Sequence, residues 1–586
     1  MKRKLVFLCV AVVCVMGAGS LGAATAPAPW PQMGHDPQHS SMVTNLGQPL
    51  SRILQDIVYD PFVSAEIAAG GGDLLVHYQT PLVDGNNVYM EFKGGNFTTI
   101  PHWETQDWIE KKLTWQGSSL VTAWSYTSTW KPVPYVSQTS GIGPVWEPVF
   151  HAVLAGDFVY VPAAQGKVVK LRKSDGSVAA TIDPFAGGPL SPVQQTDIFV
   201  AGPLTADKSG NIYYNAIKLS HSQPWDQDVV DSWLVKVTPT NQASKVSFSV
   251  LTPGAPLGTD TTCKVEFSST QLPWPPSPDA VPSTTLCGSQ RPGINVAPAI
   301  APNGTIYTVS RGQFVTRYNY LIAINPNLTL KWAASLRGHL NDGCGVLLPI
   351  GAPGGCRVGA HLGVDPGTNE PGPGRVLDDG TASPTVAPDG SVVIGVWNRY
   401  NWTQGHLMKF SSTGQFQGAY PFGWDVTPGI YAHGTTYSIV TKDNHYGDVG
   451  SYCDDETYCP SDRTATHPNY PEEYFLTQLS PAMGVEWSWQ NTNPLSCSRD
   501  SSGNVTCVND HPRGFEFCVN VMAIAGDGTV FANSEDGNTY AILQGGTIRD
   551  HLFQQLALGA AYTPASIGGD GKIFSQNAGH LFVLGN

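Results

Sequence analysis

Charge is scarce in this chain: Asp, Glu, Lys and Arg make up only 13% of its 586 residues. The basic residues are the fewer, 32 Lys and Arg against 46 Asp and Glu, for a formal net charge of −14. A chain so poor in Lys and Arg lacks the clustered cations that phosphate binding needs, which excludes nucleic acid as a partner class. Long apolar runs are missing after the first residues, so no later segment is apolar enough to span a bilayer. Familiar catalytic motifs are missing too. There is no His-Glu-x-x-His zinc motif, no Gly-x-Ser-x-Gly elbow and no P-loop. Cys-x-x-Cys does not occur, so neither does the Cys-x-x-Cys-His haem site, and the 15 histidines are scattered without ligand spacing.

Turn-forming and aromatic residues are abundant instead. The chain holds 63 Gly, 46 Pro, 16 Trp and 22 Tyr, a mix that suits short strands and turns better than helices, which favour Ala, Leu, Glu and Lys. The opening "MKRKLVFLCVAVVCVMGAGSLGAATA" has the pattern of a signal peptide: Lys2, Arg3 and Lys4 form a basic head, Leu5 to Met16 an apolar core, and small residues follow. The apolar run is shorter than the roughly 20 residues of a spanning helix. Residues 1–26 are therefore expected to be removed on export. That leaves residues 27–586 as one soluble domain in the periplasm or outside the cell.

Of 11 cysteines, Cys9 and Cys14 lie in the leader. The rest form local pairs: Cys263 with Cys287, Cys344 with Cys356, Cys453 with Cys459, and Cys497 with Cys507, leaving Cys518 over. In an exported chain such neighbours read as disulfides. Cys518 begins an apolar run and is either a buried thiol or a competitor for a partner in one of these pairs.

One phrase recurs along the chain. "APAIAPNGTIYTV" (297–309) returns as "TPLVDGNNVYM" (80–90), "EPVFHAVLAGDFVYV" (147–161), "GPLTADKSGNIYY" (202–214), "SPTVAPDGSVVIG" (383–395), "TPGIYAHGTTYSI" (427–439), "VMAIAGDGTVFAN" (521–533) and "TPASIGGDGKIFS" (563–575). Asn-Gly and Asp-Gly fit the positive φ angles of tight hairpin turns, so each copy is an antiparallel strand pair. A second pair often follows, as in "YLIAINPNLTLKWAAS" (320–335) and "HLMKFSSTGQFQGAY" (406–420). Four antiparallel strands per unit, repeated, make a β-propeller blade. The turn glycines are 43 to 94 residues apart. The shortest intervals match a bare blade of about 40–50 residues; the longer ones hold insertions at about 251–292, 338–380, 445–470 and 491–517.

The expected fold is all-β: an eight-bladed propeller of four-stranded antiparallel blades. "HLFVLGN" supplies a strand of the closing blade, and "PWPQMGHDPQHSS" covers or completes it. The turns between strands one and two, and three and four, share one face of such a disc. All four proposed disulfides then fall on the other face, with the long insertions. Decorated loops on a rigid scaffold form binding sites, and this loop face is the candidate site.

"TPLVDGNNVYM" and "SPTVAPDGSVVIG", with "LIAINPNLTLKW", resemble the repeats of pyrroloquinoline-quinone (PQQ)-like β-propellers. In that family a blade ends on a turn and a Trp that docks between blades, and Trp332 and Trp487 match that place. "PWPQMGHDPQHSS" is similar to the family's usual opening, although several blades here lack the terminal Trp and the Thr-Gly-Lys turn. The family includes quinone-dependent dehydrogenases and non-catalytic members such as the assembly factor of the outer-membrane barrel-insertion machine, so fold leaves activity open. The dehydrogenase branch implies Ca²⁺ held by a Glu, an Asn and an Asp with a stacked quinone, and in its best-known members a disulfide between adjacent cysteines. No adjacent cysteine pair exists here, and the three calcium ligands do not map onto this sequence.

Other candidates have plainer readings. Asp454, Asp455 and Glu456 could hold a cation but read as a solvated loop tip. Turn chemistry explains Asp378-Asp379, and His433 occupies a turn position where other copies carry Asp or Asn. Trp397, Tyr400 and Trp402 could stack on sugars, but blade packing is the commoner use of aromatic area. Five Asn-x-Ser/Thr sequons occur, at Asn96, Asn303, Asn327, Asn401 and Asn504, of which Asn303 and Asn327 fall in expected turns. The reading that results is an exported, non-catalytic PQQ-like propeller that binds a protein, glycan or small molecule, with no catalytic residue, metal or cofactor. The alternative is a PQQ- and calcium-dependent oxidoreductase.

Overall fold

The computed structural model describes residues 29–100, 102–134, 146–256, 258, 261–352, 354–380, 382–401, 404–446, 472–500, 502–557 and 563–586. The leader, the stretch from Cys453 to Cys459 with Asp454, Asp455 and Glu456, and Trp402 lie outside the described residues.

The fourth repeat shows how sequence becomes structure. Asn303 accepts a hydrogen bond from Thr305 N at 3.0 Å, and Gly304 takes φ +81°, which closes the hairpin. The strand that leaves it, Ile306–Gly312, is buried along its whole length. Tyr320–Ile324 pairs next and is buried but for its first residue, and the outer strand Leu330–Ser335 is half-buried. Burial on both faces explains why the middle strands read as unbroken apolar runs rather than alternating ones.

Among the described residues six antiparallel sheets have four strands, five of them in sequential order, and two have five because the inner strand is split. Numbered in chain order, the sheets begin at Leu82, Val153, Ile198, Gln290, Thr385, Gly429, Ala523 and Ser566. This is the architecture of a β-propeller. The eighth sheet takes its outer strand from the other end of the chain: Arg52–Val58 pairs antiparallel with His580–Gly585. "HLFVLGN" is thus a closing strand, as expected, and its partner lies just after "PWPQMGHDPQHSS".

That opening stretch does something else. Residues 30–48 pass the turn-side end of every inner strand in chain order. Trp30 exchanges two bonds with Val83, and Leu154 N donates to Pro31 O at 2.8 Å. Ala206 N then donates to Gln32 Oε1 at 2.7 Å. Ile300 donates to Pro37, Val386 to Gln38, Ile430 to Ser40 and Ile524 to Ser41, and Gln48 donates to Gly571 O at 2.7 Å. Following so tight a curve needs left-handed residues, and Gly34, His35, His39 and Ser41 all have φ between 59° and 72°. A Cβ on Gly34 would sit 2.8 Å from His39 Cα, so only glycine fits.

Neighbouring sheets lock through outer-strand tryptophans. Trp332 Nε1 donates to Ser412 O at 2.9 Å in the next sheet, and Trp487 packs beside Gly546. Trp124 does the same unforeseen, donating to Lys173 O at 3.1 Å above Gly176. Added Cβ atoms would come 2.7 Å from Trp124 at Gly176 and 2.8 Å from Trp332 at Gly414, so these turns need glycine.

Three of the expected disulfides are formed, Cys263–Cys287, Cys344–Cys356 and Cys497–Cys507, and Cys518 is buried and unpaired. Each bridge lies in a connection from one sheet to the next, on the face away from the hairpin turns. The fourth expected pair, Cys453 with Cys459, falls outside the described residues. Among the described residues no helix is long and apolar enough to cross a membrane.

Candidate functional site at the loop face

The residues that lead into the inner strands link sheet to sheet around the loop-side mouth of the channel. Glu147 N donates to Leu75 O, Leu204 N to His151 O, and Asn295 N to Ala201 O. Ala297 N donates to Ser383 Oγ, and Ser383 N to Thr427 Oγ1. Thr427 N donates to Asn520 O and Ala565 N to Val521 O, and Gln576 Nε2 closes the circuit on Gln79 O at 2.9 Å. Every consecutive pair of sheets is joined, the eighth to the first included.

Buried charges support this rim. Lys93 Nζ lies 3.0 Å from Asp60, 3.0 Å from Glu66 and 2.9 Å from Glu147, all fully or almost fully buried. Burial pushes Glu66 up to about 8 and Glu147 up to about 7, against the pull of Lys93. Burial likewise raises Glu110 to about 8 and Glu91 well above the usual carboxylate range. His39, His77 and His151 are held neutral by burial, each near 4. Thr80 N donates to His151 Nε2 at 3.1 Å, so His151 carries its proton on Nδ1, facing Ala152 O.

Asp378 corrects the turn-chemistry reading. It is buried and takes two bonds from Arg291, at 2.9 and 2.6 Å, one from Arg311 at 2.7 Å and one from Ile294 N at 3.0 Å. Burial works to raise its carboxyl, and the two guanidiniums outweigh that and hold it at about 2. The reason is physical: two arginines buried on strands of the fourth sheet need a counter-ion, and the chain turns inward to supply one.

A second knot binds the insertions together. Glu266, in the first insertion, receives Arg317 at 3.0 Å, Arg399 at 2.8 Å and also Arg375. Against burial, these guanidiniums hold Glu266 at about 2. Arg317 also meets Asp365 of the second insertion. Arg375 lies over the Trp397 ring at 5.0 Å and, with Val296, Trp397, Trp424 and Asp425, lines a small cavity of about 20 Å³ beside the channel mouth.

The remaining sequence candidates fall apart as a site. Tyr400 is buried and donates to Asp342 at 2.6 Å, so it packs rather than meets a sugar. His433 ends the strand Gly429–His433 and pairs with Thr436 across the Gly434-Thr435 turn. Asn401 is buried and donates to Gly405 O at 2.6 Å, unlike an available glycan acceptor. Two carboxylates near the mouth are already matched with cations. Asp425 already faces Lys442 at 3.6 Å and Asp378 faces two arginines, so these carboxylates meet cations of the protein itself. Reading the sequence alone missed Lys93, Arg291 and Arg311. The available signal was a lone charge inside an apolar strand, as in "VYMEFKGG" and "IYTVSRG", where a charge is buried only if paired.

No family model matches the chain, and no curated protein matches it in sequence. Solved structures similar to it include a europium-containing methanol dehydrogenase (TM-score 0.46, 10% identity, covering 94% of this chain and 89% of that one). Others are the quinohemoprotein alcohol dehydrogenase of Comamonas testosteroni (0.49, 11%, 95% and 81%) and BamB of Moraxella catarrhalis (0.39, 10%, 91% and 99%).

Proposed function

We propose that the chain is an exported, non-catalytic, eight-bladed propeller of the PQQ-like kind that binds a partner on its loop face. The observation that carries this reading is the asymmetry of the two faces. Residues 30–48 bond to all eight sheets at the turn side, while the three described disulfides and the Glu266 knot brace insertions on the opposite side. A scaffold that rigidifies irregular loops lowers the ordering cost of association. The cation pairs at Asp425 and Asp378 weigh against the quinone-dependent dehydrogenase.

Two measurements test it. Purified protein is mixed with PQQ and Ca²⁺, desalted, and assayed for a retained chromophore and for dye reduction with alcohols. Neither is expected, and a stoichiometric chromophore with dye reduction overturns the proposal. Photo-crosslinkers are then placed at Val346 and Val508 on the loop face, and at Val178 and Val485 near the turns, all four sites being exposed. Adducts in the native secreted fraction are expected from the first pair only. Equal capture from both faces counts against a loop-face site.

A further inference from the structure

Cys518 is buried and unpaired, whereas every other described cysteine is in a disulfide. It lies in the extended segment that leads into the seventh sheet, with Glu516 two residues earlier. Positions two apart in extended chain share a side. Glu535 comes from the turn between Val530–Asn533 and Asn538–Leu543. The backbone fixes this meeting: Glu535 N donates to Glu516 O at 3.0 Å, and Ser534 Oγ donates to the same oxygen at 2.7 Å. One donor atom from each residue, the Cys518 sulfur and two carboxylate oxygens, lie within 4.8 Å of one another.

The sixth sheet walls the cluster. Asn444 Nδ2 donates to Glu516 Oε2 at 3.4 Å, and Lys442, Tyr446, Glu472 and Tyr474 face the cluster electrostatically. Asp425 lies behind Lys442 at 3.6 Å. Two carboxyls and a thiol in one buried place would repel if ionised. Glu516 is instead hydrogen-bonded to Glu535, and Glu535 to the Cys518 thiol.

We propose that Glu516, Cys518 and Glu535 form a transition-metal site that takes Zn²⁺, with three protein ligands and an open fourth position. Sulfur selects against Ca²⁺, which takes six to eight oxygens, and a thiolate with two carboxylates suits a tetrahedral Zn²⁺. The charge balance closes. A metal-free cluster that holds the thiol proton and one proton between the two carboxyls carries a net charge of −1. Binding releases both protons, so three anionic ligands and one dication again sum to −1, beside Lys442, which also faces Asp425. Affinity therefore rises with pH, by up to about 100-fold per pH unit while both protons are still bound. Burial, then Glu535 and Glu516, hold the metal-free thiol pKa well above its ordinary value, which explains how a lone thiol persists beside disulfide chemistry.

The test uses the whole secreted chain, stripped with EDTA and titrated with Co²⁺ at several pH values near neutrality. One equivalent is expected to give a thiolate-to-cobalt charge-transfer band that Zn²⁺ displaces. The apparent affinity should climb with a slope of about two protons. Cys518→Ser is expected to abolish the band while retaining the metal-free melting temperature; Glu535→Gln should weaken binding at least about tenfold. The proposal is overturned by folded wild-type protein that shows no band and retains no zinc, by a band that survives Cys518→Ser, or by affinity independent of pH. The wild-type pH slope decides the matter even where a variant does not fold. The outcome is independent of the loop-face partner.

Discussion

At the scale of single residues, the decisive side chains are charges that the sequence hides in apolar surroundings. Lys93 shows this best, since one ammonium serves three carboxylates. Lys93→Met is expected to cost about 3–5 kcal/mol, the usual penalty for stranding buried partners, read as a lower urea midpoint; an unchanged midpoint would refute the cage. The same cage sets a pH dependence. Glu66, Glu110 and Glu147 have folded values of about 7 to 8, raised from ordinary carboxylate values. Their contribution is full below about 4.5 and is lost as pH rises through 7 to 8. The three buried histidines work the other way. Lowered to about 4, they contribute fully above about 6.5 and lose that as pH falls. Between about pH 6.5 and 8 only the carboxyl effect remains, so calorimetry should show the melting temperature falling across that interval. A rise there would contradict the assignment. The lone Lys and Arg left a signal in the sequence that went unread; their partners left none, because Glu147 lies 54 residues from Lys93 and Asp378 lies 87 from Arg291.

At the scale of elements, hairpins were the readable part. Asn303-Gly304 carries its own turn geometry and needs no distant partner, and the same holds for the other copies. Trp332 was placed by the resemblance of its repeat, whereas Trp124, in a longer and more irregular first repeat, was not. The insertions were visible as intervals and cysteine pairs, but their mutual bracing was not, because Glu266 draws arginines from three other segments. Glu266→Gln is expected to leave global melting nearly unchanged, since the sheets stand without it. It should open Thr262–Leu286 and Arg337–Pro373 to limited proteolysis, mapped by mass spectrometry. A digestion pattern like the wild type's would show that the disulfides alone suffice.

At the scale of the whole molecule, the two chain ends together complete the architecture. His580–Gly585 pairs with Arg52–Val58, and residues 30–48 touch each sheet in turn. Deleting residues 30–48 is expected to cost several kcal/mol, at about 1 kcal/mol per hydrogen bond lost. It should also split a single thermal transition into two; one sharp transition at the original temperature would refute this role.

That segment also imposes an order in time. It is synthesised before any blade, yet its contacts at Ile524 and Gly571 do not exist until the last two sheets have formed. The segment that precedes the first blade is therefore the last to find its seat. A chain stopped short of His580 has no strand to receive Arg52–Val58, so its eighth sheet cannot close.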